Sequence, residues 1–219
     1  MFDVAAAMDD NDISLRRPRL DGLVWSVRIA TAKDHGSLLE LINRAYEDAH
    51  WFKQPCFYNR VTEASLSQYL NMPNGHFLMI LLTETKRVIA SLLMRFRGAG
   101  GGGESQEQEP EEKLNPTIIN TPILCISLIS IDPEFQRRGI GRFMLELACS
   151  LAQQQRHDAT DPFVQIEVVS VQDHLLAIYK SWGFQAVSKI TWEQVGVDSK
   201  VNIKVPSHLV VMQRKLRSQ

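Results

Sequence analysis

The feature that most constrains the fold is the run ILCISLISIDPEFQRRGIGRFMLELACSLA, from Ile123 to Ala152. Its first part, Ile123 to Ile131, is almost continuously apolar and interrupted only by Ser127 and Ser130, the pattern of a central strand buried on both faces. A short turn carrying Arg137, Arg138, Gly139 and Gly141 follows. Met144, Leu147 and Leu151, with Leu145, Ala148 and Ala152, then recur as the wide apolar stripe of a helix. A strand feeding a glycine-bearing turn that opens a helix presents free backbone N–H groups at the positive end of the helix dipole. Two arginines add positive charge, and two glycines let the backbone approach an anion closely. The run therefore suits a phosphate or pyrophosphate at the start of the helix. Taken alone, it equally suits a tight turn with both arginines in solvent.

The surroundings suggest an α/β chain. QQQRHDATDP ends the helix, and FVQIEVV, Phe163 to Val169, forms another strand. Strand, helix, strand in that order implies a right-handed crossover between parallel neighbours. A short helix is expected from Asp173 to Trp182, with Asp173 at its cap and Gly183 at its end. Upstream, Val24 to Ile29 is a first strand, and Thr31 with Asp34 caps a helix whose apolar face holds Leu38, Leu41, Ile42 and Ala45. Thr62 caps a second helix running through Leu70. Phe77 to Leu82 and Val88 to Phe96, joined by a short polar turn, read as an antiparallel hairpin. Phe184 to Trp192 and His208 to Arg214 close the sheet.

The 219 residues suit one domain, placed at 25–219 behind a tail at 1–24 that Pro18 interrupts. Gly98 to Asn115 is glycine-rich and then acidic, and is expected to be a mobile low-complexity loop. A formal charge of -1 offers no concentrated positive field for nucleic acid or an anionic membrane. No apolar run reaches the length of a bilayer span, and the acidic start, with Asp9, Asp10 and Asp12, does not resemble a secretory leader. A cytoplasmic or nucleocytoplasmic location follows by default. Cys56, Cys125 and Cys149 lack metal-like spacing, and the histidines are scattered singly, so no metal site is expected.

Three fragments in this order, IDPEF, QRRGIG at 136–141 and IYKSWGF at 178–184, resemble the GNAT superfamily of acetyl-CoA-dependent N-acetyltransferases. The likeness extends from about Val27 to Arg214. It implies a mixed, centrally splayed sheet of six or seven strands flanked by helices, with acetyl-CoA between the strands Ile123–Ile131 and Phe163–Val169. By that resemblance, Gln136 opens the motif, and the main chain of Arg137, Arg138, Gly139, Ile140, Gly141 and Arg142 holds the pyrophosphate. Backbone groups of Ile129 and Ile131 would pair with the pantetheine arm as an added strand would. Tyr179 matches the tyrosine that protonates the departing thiolate in many relatives. Asp173 stands where many relatives carry asparagine, and its negative charge puts that cofactor contact in doubt. QRRGIG lacks the lysine and hydroxyl of a nucleotide-binding P-loop.

Transfer to an amine also needs an acceptor site and a route for the amine's proton. Glu167, interrupting an apolar strand, is the leading candidate base or acceptor contact, and a buried carboxylate there would need a partner or a raised pKa. On the other reading, Gln165 and Glu167, two apart, line a wetter sheet face. Glu47, Asp48, His50 and His76 are further candidates. Aromatics at Trp51, Phe52, Phe57 and Tyr58 favour a small, partly apolar primary amine. A protein or peptide acceptor, and a non-catalytic acyl-CoA-binding domain, are the alternatives. The protein is expected to act as a monomer or homodimer.

Overall fold

The computed structural model describes residues 18, 20–97, 123–154 and 163–216. The loop expected at 98–115 and residues 1–17 lie outside the described residues. The chain divides into two compact units. The first draws on Met1–His50, Tyr58–Arg95 and Ile126–Asp158, and the second on Trp51–Phe57, Phe96–Cys125 and Ala159–Gln219.

The first unit contains β1 (Trp25–Ile29), α1 (His35–Ala45), α2 (Glu63–Leu70), β2 (Gly75–Leu82), most of β3 (Val88–Arg97) and of β4 (Ile123–Ile131), and α3 (Ile140–Gln154). Its strands lie in the order β1-β2-β3-β4. β1 pairs antiparallel with β2, setting Val27 opposite Ile80, and β2 pairs antiparallel with β3, setting Leu78 opposite Leu92. The hairpin forms as its two apolar segments and short polar turn require. Thr31 and Asp34 do form a reciprocal pair, but on a 3-10 turn (Ala32–Asp34) that precedes α1. The Asp34 carboxylate accepts from the Thr31 amide at 2.8 Å and from two Arg28 nitrogens at 2.8 and 2.6 Å. The Arg28 guanidinium, with help from Thr31, holds the Asp34 carboxyl down to about 2. At α2 the Thr62 hydroxyl accepts the Ser65 amide at 3.2 Å, satisfying one of the helix's orphan donors.

Leu38, Ile42, Val61, Leu66, Phe77, Leu93 and Leu128 form one buried cluster. α3 buries Met144, Leu145, Leu147, Ala148 and Leu151, the stripe expected from its spacing. The tail expected at 1–24 is packed at its end: Leu20 is buried, and the Leu23 amide donates to its carbonyl at 2.8 Å. Leu128, in the middle of β4, has φ of 48°, a left-handed conformation that a leucine adopts only at a cost. The Ser130 hydroxyl donates to the Leu128 carbonyl at 3.1 Å and braces this departure from a regular pleat.

The second unit contains β5 (Phe163–Val169), α4 (Asp173–Ser181), β6 (Gln185–Ile190), the one-turn α5 (Ser199–Asn202) and β7 (Leu209–Lys215). Its strands lie in the order β5-β7-β6, with β7 antiparallel to both neighbours. Gly183, at φ of 88°, ends α4, and the Phe184 amide donates back to the Tyr179 carbonyl at 3.0 Å. The polar span before β7 is organised by buried Trp192, whose indole N–H donates to the Ser207 hydroxyl at 3.1 Å. The aromatic stretch at 51–59 holds the end of one 3-10 turn, Glu47–Phe52, and the whole of a second, Pro55–Phe57. The expected crossover leads from β4 and α3 to β5 by way of residues 155–162, outside the described residues. The mixed α/β class, with seven strands and flanking helices among the described residues, is the one the sequence implies.

Candidate active site

β4 ends at Ile131, and the chain then makes a 3-10 turn, Pro133–Phe135, capped by the Asp132 carboxylate, which accepts the Glu134 amide at 3.2 Å. Asp132 is buried, so its charge needs partners. Arg44, from the last turn of α1, donates to Oδ2 at 2.5 Å, and Arg87, from the β2–β3 turn, donates to the same oxygen at 2.6 Å. The Asp132 amide donates to the Ile89 carbonyl at 2.9 Å, tying the end of β4 to β3.

The glycine turn follows at once. Arg137 has φ of 61° and Gly139 φ of 83°, with Arg138 between them outside the positive region. Alternation of this kind turns successive N–H groups toward one concavity, which suits an anion. A Cβ added at Gly139 would meet nothing within 4 Å, so space is open over the turn. The first bond of α3 found at this end runs from the Phe143 amide to the Gly139 carbonyl at 3.0 Å. The N–H groups of Gly139 to Arg142 thus precede the helical ladder and are free of it. Behind them stands a helix of 15 residues with its aligned dipole. This turn fits a pyrophosphate.

The sequence-predicted residues of this unit fall along one continuous stretch. Ile129 and Ile131 are half-buried in β4, and Gln136 is exposed and donates through Nε2 to the Ile131 carbonyl at 3.3 Å. Ile140 is buried and anchors the helix start, while Arg137 and Arg142 are exposed. Arg138 pairs with Asp21 at 2.9 Å and lies over the Phe135 ring, 5.6 Å from its centroid. Neither contact was legible in the sequence.

Tyr179, in the second unit, is half-buried on α4. Its ring meets Trp182 and Phe184 edge-on, with centroids 5.4 and 5.9 Å away. Arg214 fixes this cluster by lying over Phe184 and donating to the Trp182 carbonyl at 3.1 Å. Two expectations are corrected here. Asp173 does not cap α4: Gln172 occupies the cap without a side-chain bond, and Asp173 is the exposed first helical residue. Glu167 is exposed rather than a buried carboxylate. It shares a face of β5 with Gln165, whose side chain accepts from Gln213 at 2.9 Å, the wetter face that the two-residue spacing allows.

Among the acceptor candidates of the first unit, Glu47 and Asp48 are exposed. The His50 and Tyr58 rings stack in parallel, 4.1 Å apart. His76 is half-buried on β2, and burial holds its imidazole below the usual value. In the second unit Phe52 is buried and Trp51 exposed, and the Lys53 ammonium lies 5.8 and 5.7 Å from the Phe52 and Phe57 ring centres. Cys125 and Cys149 are buried and Cys56 is exposed. Among the described residues no cluster of histidine, cysteine or carboxylate could hold a metal ion, and no helix is long and apolar enough to cross a membrane.

Fold and turn together define an α/β protein in which a glycine-bearing turn opens a helix at the end of a central strand. The profile of the acetyltransferase (GNAT) family matches residues 42–184, and the chain belongs to that family. Curated protein sequences give no match. Solved structures that share the fold include smu.2055 from Streptococcus mutans UA159, with a TM-score of 0.58 and 16% identity, covering 88% of this chain and 99% of that one. The ribosomal-protein-S18-alanine N-acetyltransferase from Escherichia coli has a TM-score of 0.55 and 12% identity over 90% of this chain and 96% of its own. NAA60 from Arabidopsis thaliana, solved in complex with acetyl-CoA, has a TM-score of 0.56 and 11% identity over 88% and 99%. At these identities the likeness concerns the fold.

Proposed function

We propose that this chain transfers an acetyl group from acetyl-CoA to the primary amine of a small acceptor, by direct attack in a ternary complex. The observation that carries the reading is the turn from Gln136 to Gly141: two left-handed positions, open space above Gly139, and unladdered amides at the start of α3. Those amides would hold the pyrophosphate, and backbone groups of Ile129 and Ile131 would receive the pantetheine arm. Acetyl-CoA supplies an activated acetyl thioester. Tyr179 would give its phenolic proton to the departing thiolate, since a donor within hydrogen-bond reach lowers the barrier to its release. The packing of its ring on Trp182 and Phe184 would fix the direction of that O–H. Glu167 is exposed and suits contact with a cationic acceptor or an incoming water better than the role of a buried base.

Calorimetry with acetyl-CoA, followed by thioester consumption over a panel of small amines and peptides, tests this directly. Saturable binding and turnover of small amines are expected. Turnover of peptides alone would move the acceptor to the protein class. Binding without turnover would leave an acyl-CoA-binding domain. A folded chain that binds no acetyl-CoA would overturn the reading.

A further inference from the structure

We infer that Arg87, on the β2–β3 turn, is a positioning residue for the cofactor turn, acting through Asp132, Glu134 and Phe135. The inference rests on the pyrophosphate reading of Gln136–Gly141. Arg87 touches every residue of the lead-in but the proline: its guanidinium donates to the buried Asp132 carboxylate at 2.6 Å and to Glu134 Oε2 at 2.8 Å, and it lies 5.5 Å from the Phe135 ring centre. Phe135 is buried and carries Arg138 within 5.6 Å of the same ring centre, so one aromatic ring links the clamp to the phosphate-binding turn. One guanidinium nitrogen, Nη2, serves both carboxylates while the planar group lies over the ring, an arrangement that a flexible ammonium stem holds less rigidly.

Arg87 is itself held rigidly. Its carbonyl accepts the Leu82 amide at 2.9 Å, its amide donates to the Thr85 hydroxyl at 3.3 Å, and Lys86 before it sits at φ of 58°. Arg44 completes the charge balance from α1, so the buried carboxylate is met from two sides. The turn beyond contains a non-glycine residue, Arg137, in the left-handed region. Such a conformation persists where its surroundings over-determine it. The three-point hold on residues 132, 134 and 135 supplies that constraint immediately upstream. Small displacements of a binding element can cost as much as about 100-fold in rate.

The test is Arg87→Gln in the full chain, read by steady-state kinetics and by CoA calorimetry. Expected are an acetyl-CoA KM raised at least about tenfold and a CoA affinity lowered by a similar factor, with kcat at saturation within about twofold of the parent. Arg87→Lys, which keeps charge beside Asp132 but loses the planar group over Phe135, should fall between the two and carries the test should Arg87→Gln not fold. A folded variant with unchanged CoA affinity, or one that loses kcat rather than KM, would overturn the inference alone. A folded parent that binds no CoA would instead overturn the cofactor site on which it rests.

Discussion

Gly139 shows how much of the site a single residue can decide. Its φ of 83° is open to glycine, whereas an L side chain there bears roughly 1–2 kcal/mol. Space around a Cβ is free, so the cost of Gly139→Ala is purely that of the backbone. Acetyl-CoA affinity should fall about tenfold, the equivalent of about 1.4 kcal/mol, as the turn relaxes, and the melting temperature should fall by no more than roughly 2–8 °C; calorimetry and thermal scans check both. Tyr179→Phe keeps the ring that packs on Trp182 and Phe184 but removes the proton, so kcat should fall at least about 100-fold and the pH–rate profile should lose its limb for that acid. An unchanged profile would leave Tyr179 a packing residue. Gly139 was legible because its type is tied to a backbone need, whereas Gly141 lies within α3 without a positive φ. Arg137 was not, since nothing about an arginine announces a positive φ. Glu167 was legible only as a choice, because a charge within an apolar strand marks either a buried group or a wet face, and only packing distinguishes them.

At the level of elements, local rules read well wherever the partners are neighbours in sequence. β4 and β5 run over Ile123–Ile131 and Phe163–Val169 as their apolar patterns require, and Thr62 caps α2. Asp132 is the counterexample: its partners Arg44 and Arg87 stand 88 and 45 residues away, and no local pattern relates them. The lead-in to α1 carries the clearest pH dependence. Asp34 ionises near 2 in the folded chain against 3.8 for an unconstrained aspartate, because Arg28 and Thr31 bond to the charged form. A depressed folded value means that the stabilisation is complete above about pH 4 and lost as pH falls toward 2. It amounts to about 2 kcal/mol. Denaturant titrations across pH 2 to 5 should show that slope, and Asp34→Asn should flatten it while lowering stability at neutral pH.

For the molecule as a whole, stability depends on the apolar interior rather than on exposed ion pairs such as Arg138–Asp21, whose worth in solvent is small. Leu147 is fully buried on α3, and Leu147→Ala should remove about 2–5 kcal/mol, read as a fall in Tm of roughly 5–15 °C. The α/β class was legible from periodicity and from the strand–turn–helix run. The division into two compact units, which interleaves three stretches of chain in each, was not, because such a partition arises from contacts between distant segments. Leu128 ties the interior to the chemistry. Its strained backbone belongs to the strand that leads to the turn at 136–141, yet its side chain is buried with Leu38 and Ile42 of α1, Leu66 of α2 and Phe77 of β2. A genetic selection for altered acetyl-CoA usage should therefore recover changes in those four apolar positions, and compensating pairs among them, with residues 136–142 intact.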